Sequence, residues 1–255
     1  MSALCLKYFP ALLALLLFGS NIAISQPATV RFRHISVEQG FSSSQVTSIA
    51  QDKNGFLWFG TWKGLNRYDG YEFKVFRHDP KSPASLSDGG IFALLSDQSG
   101  GLWVGTSTGL DRFDETTETF THYVFENKDP ATKAQNNNVF YLCEDRQGNV
   151  WAGCRYGLHR VEPKTGKTTS YANNPNDPVS LSDSRVRALH IAADGTLWVG
   201  TAKGLNRFDP GSGKFHRFFP DSLFFNIKDG KDGALFLATR SGEYFFNPAT
   251  SNILV

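Results

Sequence analysis

The chain has 255 residues, of which 40% are hydrophobic and 14% aromatic. That is enough apolar material for a packed core and, by length alone, for one or two domains. Its 26 basic and 24 acidic side chains leave a formal net charge of +2. The basic residues form no stripe, so there is no electrostatic case for a nucleic-acid partner.

The amino terminus reads as an export signal. Lys7 supplies a positive flank, Pro10 to Phe18 an apolar run, and Ala23-Ile24-Ser25 the small residues of a cleavage site, so residues 1–25 are expected to be removed. The apolar run is well short of the ~20 residues that span a bilayer. Nothing after residue 30 approaches such a span, so the mature chain, 26–255, is expected to be periplasmic or secreted with no membrane span of its own. A short strand is expected over 30–35.

From there on a period organises the chain. DKNGFLWFGT (52–61), DQSGGLWVGT (97–106), DRQGNVWAGC (145–154) and ADGTLWVGT (193–201) align on Trp58, Trp103, Trp151 and Trp198, spaced by 45, 48 and 47 residues. A degraded fifth copy, DGALFLAT (232–239), has Phe236 in place of the tryptophan. Each copy is followed by GLNRYD (64–69), GLDRFD (109–114), GLHRVE (157–162), GLNRFD (204–209) or the divergent GEYFFN (242–247). Short alternating segments come next at 73–76, 120–123, 168–171 and 215–218, and apolar stretches beginning near Val46, Ile91, Val139, Val186 and Phe224 precede each tryptophan. This makes four short strands per repeat.

The corners carry turn chemistry: Asp52-Lys53-Asn54-Gly55 and its equivalents put Asp first and Gly fourth, as a type I turn prefers. No segment shows a sustained helical period. Four antiparallel strands in about 45 residues is the signature of a propeller blade, so the fold is read as an all-β propeller of about five blades. They are placed at approximately 41–80, 86–127, 134–174, 181–220 and 221–255. The second strands are apolar on both faces, and Gly60, Gly105, Gly153 and Gly200 stand where blades must approach closely.

The pattern V-x-x-I-x-x-D-x-x-G-x-L-W-x-G-T-x-x-G-L-x-R-[FY]-D, present in full from Val46 to Asp69, resembles the two-component regulator propeller repeat family. The resemblance extends over residues 30–255 and is strongest in the first, second and fourth repeats. It implies an extracytoplasmic sensor. Such repeats usually build seven-bladed rings ahead of a membrane span and a histidine kinase or diguanylate cyclase output. On that basis the five blades are expected to be an incomplete part of a seven-bladed ring, with the 30–35 strand belonging to a closing blade. The implied partners are further blades or receptor domains.

Candidate functional residues are weighed against structural ones. The four tryptophans are core by their fixed register. Cys5 leaves with the signal. Cys143 and Cys154 would lie about four residues apart along one hairpin, on the order of 13 Å, too far for a disulfide, so both are expected as free, buried thiols. One carboxylate per turn is far from the about six to eight oxygens calcium takes. His34, His78, His122 and His216 fall in the fourth strands and diverge around the rim, while His159 and His190 stand isolated, so no metal and no cofactor are expected.

The face bearing the second-to-third-strand turns and the fourth-to-first-strand loops is the better place for function. It carries Trp62, Lys63, Arg155, Tyr156, Lys203 and Arg240 and the loops 78–88 and 173–183. Aromatics beside cations suit a small-molecule ligand such as an oligosaccharide; the alternative is that these are solvated turn residues. With no G-x-S-x-G, H-E-x-x-H or converging carboxylate pair, a non-enzymatic ligand sensor is expected. A propeller lyase or glycosidase, or a pure protein-interaction scaffold, are the alternatives.

Overall fold

The computed structural model describes residues 36–125 and 137–254. The export signal and the strand expected over 30–35 lie outside them. After a single 3₁₀ turn, Val37–Gln39, whose capping box is closed by Ser36 and Gln39, the chain is almost entirely strand and turn.

Five antiparallel four-stranded sheets follow in chain order. The first is β1 (Val46–Gln51), β2 (Leu57–Thr61), β3 (Gly64–Tyr68) and β4 (Phe73–Phe76). The second is β5 (Ile91–Ser96), β6 (Leu102–Thr106), β7 (Leu110–Asp114) and β8 (Thr119–Tyr123). The third is β9 (Val139–Glu144), β10 (Val150–Cys154), β11 (Gly157–Val161) and β12 (Thr168–Tyr171). The fourth is β13 (Val186–Ile191), β14 (Leu197–Thr201), β15 (Gly204–Asp209) and β16 (Lys214–Phe218). The fifth is β17 (Phe224–Asp229), β18 (Leu235–Thr239), β19 (Gly242–Asn247) and β20 (Asn252–Leu254). Each is a simple meander, and the first strands neighbour one another in order, β1 by β5, β5 by β9, β9 by β13 and β13 by β17. This is the stacking of propeller blades around an axis lined by their first strands.

The core lies between sheets, in four clusters for four interfaces. Between the first and second sheets Trp58, Leu65 and Leu86 meet Ile91, Val104 and Phe113; the other three interfaces repeat the arrangement around Trp103, Trp151 and Trp198. All four tryptophans are buried. Trp58 stacks on Phe76 of its own sheet and meets Phe113 of the next edge-on, at 5.7 and 5.1 Å between ring centres. Trp151 does the same with Tyr171 and Phe208.

Two features of the repeat gain a cause. The Arg of GLxR sits opposite the tryptophan across the ladder, and the guanidiniums of Arg67, Arg112 and Arg160 lie 5.7, 5.3 and 5.8 Å from the indoles of Trp58, Trp103 and Trp151. The turn Asp also reaches the tryptophan: Asp52, Asp97 and Asp145 accept the indole N–H at 2.6, 2.7 and 2.8 Å while Asp52 and Asp145 each hold two backbone amides of their own turn and Asp97 holds the Gly101 amide and the Ser99 hydroxyl. Turn chemistry alone accounts for only half of that carboxylate's work, since it also satisfies the one polar atom of a buried indole. In the fourth sheet Ala192 takes this place.

The recurring glycines mark the close approaches. A Cβ on Gly60, Gly105, Gly153 or Gly200 would stand 2.6 to 2.8 Å from Ile91, Val139, Val186 or Phe224, the opening residue of the next sheet's first strand. Cys154 is opposite Val139 in the ladder, and both cysteines are free. Cys154 is buried, but Cys143 only partly so, a departure from the expectation of two buried thiols. Burial pushes both thiols well above their ordinary pKa.

Candidate functional site at the bulged ends of the first strands

Each first strand carries a β-bulge one residue after its start. The ladders skip between Val46 and Ser48, Ile91 and Ala93, Val186 and Ala188, and Phe224 and Asn226, and β9 slips at the same place beside Gly153 and Cys154. The extra residues are Thr47, Phe92, Phe140, Arg187 and Phe225. A bulge leaves its residue outside the ladder and re-aims the side chain, which is why bulges recur beside sites. Because first strands neighbour one another, these five side chains are brought into one sequence around the axis.

The turns between second and third strands meet the same end of the sheets. Ser107, Ala202 and Arg240 donate their backbone N–H to the carbonyls of Gly90, Arg185 and Leu223, just before β5, β13 and β17. The turns themselves are built by Thr61 and Thr201, whose hydroxyls accept from Lys63 and Lys203 N–H and donate to the carbonyls of Gly64 and Gly204.

Two recesses open here. Phe140, Arg155, Arg185, Val186 and Arg187 line one of about 140 Å³. Arg185, Arg187 and Arg240, with Asp221, Ser222 and Ser241, line an adjoining one of about 470 Å³. Arg185 is held by Asp183 through Nε and a terminal nitrogen at 2.9 and 3.1 Å. Burial works against ionising Asp183, but hydrogen bonds from Arg185 outweigh it and keep the carboxyl below its ordinary range. Arg155 lies 5.8 Å from the ring of Tyr156. An aromatic row leads to the smaller recess: half-exposed Trp62 meets Phe92 edge-on at 5.0 Å, and Phe92 meets Phe140 at 4.7 Å.

Of the six residues singled out in the sequence, Arg155, Tyr156 and Arg240 thus gather around Arg185 and Arg187. Lys203 joins them through the charge of Asp183, and Trp62 through the aromatic row. Lys63 stands apart, its carbonyl tied to Arg77 at 2.8 Å. Sequence reasoning missed Phe92, Phe140, Arg185 and Arg187. Its available signal was the position one after each first strand's start, Thr47, Phe92, Phe140, Arg187 and Phe225, which is large and aromatic three times and cationic once beside an otherwise regular motif.

Three expectations need correction. The loops 78–88 and 173–183 close over the outer edge of the following sheet: Ala84 and Val179 carbonyls accept from Phe120 and Phe215 N–H, and Arg217 clamps the second loop through Ser180 and Leu181 carbonyls. Their backbones are engaged in covering edge strands. His78 falls beyond β4 and bonds the Leu86 carbonyl at 2.7 Å. His190 and His159 are not solitary either. His190 Nε2 is 3.1 Å from Asp229 Oδ1 of the next sheet, and His159 stacks on Phe125 at 4.0 Å with its Nδ1 at Ser170 Oγ. Burial lowers the His159 pKa to about 4, which keeps that ring neutral.

Comparison with known proteins agrees with this architecture. The two component regulator propeller family matches at residues 40–63, 85–108, 134–156 and 180–203. A curated relative, histidine kinase P4 of Formosa agariphila, is 42% identical over 71 residues, 27% of this chain and 5% of that protein. The extracellular domain of a candidate hybrid two component system of B. thetaiotaomicron is 26% identical, with a TM-score of 0.54, covering 87% of this chain and 36% of that one. Virginiamycin B lyase of Staphylococcus aureus shares the fold at 16% identity and a TM-score of 0.61, over 82% of this chain and 68% of that one. The chain therefore spans a small part of the kinase and about a third of the extracellular domain. Among the described residues no helix is long and apolar enough to cross a membrane. The chain thus carries four two-component regulator propeller repeats, each laid out in one of its successive four-stranded blades.

Proposed function

We propose that this chain is the extracytoplasmic ligand-sensing module of a signal-transduction receptor, and that its ligand sits where the bulged first strands and the second-to-third-strand turns meet. The observation that carries this is the open aromatic row Trp62, Phe92, Phe140 running into a recess, in a chain made of repeats whose relatives include the extracellular domain of a candidate hybrid two component system. Rings set edge-on and tilted along a row offer rigid apolar area at little entropic cost, which suits a small molecule such as an oligosaccharide. The test is a thermal-shift screen of neutral and acidic oligosaccharides. At least one should raise Tm, and Trp62→Ala and Phe140→Ala should remove the shift while leaving the unliganded Tm within a few degrees. No shift from any probe, or multiple turnovers of a probe, would overturn the proposal.

The same reading gives the outer faces of the first and fifth sheets to further blades or receptor domains. Val46 is 43% exposed, whereas its counterparts Ile91, Val139, Val186 and Phe224 are buried under the preceding sheet's glycine strand; Ile49 is exposed as well.

A further inference from the structure

Eleven arginines lie among the described residues, and most are used by the fold itself. Arg67 pairs with Glu118, Arg160 with Glu162 and Arg185 with Asp183. Arg77, Arg146 and Arg217 hold backbone carbonyls, and Arg112 and Arg207 lie over Trp103 and Phe218. Three remain whose guanidiniums have neither an ion pair nor a hydrogen bond to the described residues and do not lie over a core ring: Arg187, Arg240 and Arg155, the last with only the neighbouring Tyr156 ring, at 5.8 Å. They come from three different sheets, yet all three line the two recesses that share Arg185 and Arg187. Gathering unpaired cations costs free energy through their mutual repulsion, and nothing in the packing of the sheets requires it. Asp183 is already committed to Arg185, and Asp221 is the one carboxylate lining the larger recess.

We infer that this mouth takes an anionic ligand carrying at least two oxyanion groups on a ring framework, one held by Arg155 and Arg187 against Phe140, the other by Arg187 and Arg240. This rests on the proposed ligand site and adds the chemical class. A planar guanidinium offers a fork of N–H donors that matches a carboxylate, sulfate or phosphate bidentately, so three of them on a rigid scaffold select for separated oxyanions. Phe140 supplies the wall for the ring, and Asp183 keeps Arg185 oriented beside them.

Titration calorimetry on the full chain tests this with three probes: a tetragalacturonate (carboxylates), a sulfated disaccharide, and neutral maltotetraose. At least one acidic probe should bind, weakening as salt rises, and the neutral probe should bind at least about ten-fold more weakly. Arg187→Gln should weaken the acidic probe about ten-fold or more, Arg155→Gln and Arg240→Gln each by a similar factor, and Lys214→Gln on the outer strand β16 not at all. The two acidic arms separate carboxylate from sulfate recognition. Maltotetraose binding that is lost in Trp62→Ala but unchanged in the arginine variants would overturn the anionic assignment and leave the sensor proposal standing. Acidic-probe binding indifferent to all three arginines, or no acidic-probe binding at millimolar concentration, would also overturn the assignment.

Discussion

Asp111 occupies the place in its sheet that Asn66 and Asn206 hold in the first and fourth. All three accept a backbone N–H from a serine of the incoming loop, Ser87, Ser42 and Ser182, at 2.8 to 2.9 Å. Only Asp111 brings a carboxylate into a fully buried position, and His122 answers it with Nδ1 at 2.7 Å while its Nε2 holds the Pro83 carbonyl at 2.9 Å. Burial disfavours the charged imidazole, but the hydrogen bond and charge of Asp111 outweigh that and raise its pKa. Burial likewise raises Asp111, against hydrogen bonds from Ser87 and His122. Both groups therefore hold protons more tightly folded than unfolded. The His122 contribution to stability is fully present below the ordinary histidine value of 6.5 and is lost as pH rises through its raised value, whereas that of Asp111 is full only below the ordinary aspartate value of 3.8 and is lost as pH rises through its own raised value. Asp111→Asn should accordingly flatten the pH dependence of the urea midpoint. It should be less stable than the parent at mildly acidic pH and at least as stable at mildly alkaline pH. A parallel offset at every pH would refute this account of the pair.

At the scale of elements, the blade interface is a glycine against the first residue of the next strand. Gly105 illustrates the constraint: an added Cβ would stand 2.7 Å from the carbonyl oxygen of Val139 and 2.9 Å from its Cγ1. A backbone atom cannot swing aside, so β6 and β9 must part. Gly105→Ala should cost about 1–3 kcal/mol in chemical unfolding. Gly89→Ala, whose Cβ meets nothing nearer than 3.9 Å, should stay within about half a kcal/mol. The strand starts at Val46, Ile91, Val139, Val186 and Phe224 were legible in the sequence because the glycine, the tryptophan and the turn all repeat at one register. The bulges were not. One extra residue in a strand of six leaves the apolar alternation too short to betray itself, so the re-aimed Phe92, Phe140 and Arg187 read as ordinary strand positions. Arg185 and Arg187 were hidden for a further reason. Their meeting with Arg155 and Arg240 depends on three sheets lying side by side, which no local pattern encodes.

For the described molecule as a whole, stability is carried by neighbours. Each core cluster joins two successive sheets, so a central sheet is held on both faces and a terminal one on a single face. Such an array approximates a one-dimensional sum of unit and interface energies. The consequences are already visible in burial. Every residue of β6, β10 and β14 is buried, whereas their counterpart β2 is buried at only three of five positions; no residue of β1 is buried, though its counterparts β5, β9 and β13 each bury at least one. At the other end Ala238 stands in the fifth sheet where the others carry glycine, and Phe245 and Ile253 are exposed. Opening a terminal sheet breaks one interface, and opening a central one breaks two. Native-state hydrogen exchange should therefore show a gradient among the second strands, all paired on both sides, slowest in β10, then β6 and β14, and fastest in β2 and β18 of the terminal sheets. A ligand bridging Arg155, Arg187 and Arg240 would tie the third, fourth and fifth sheets together, so its binding should slow exchange in β17 and β18 more than in β1. Uniform slowing across all five sheets would show instead that the array opens as one cooperative unit.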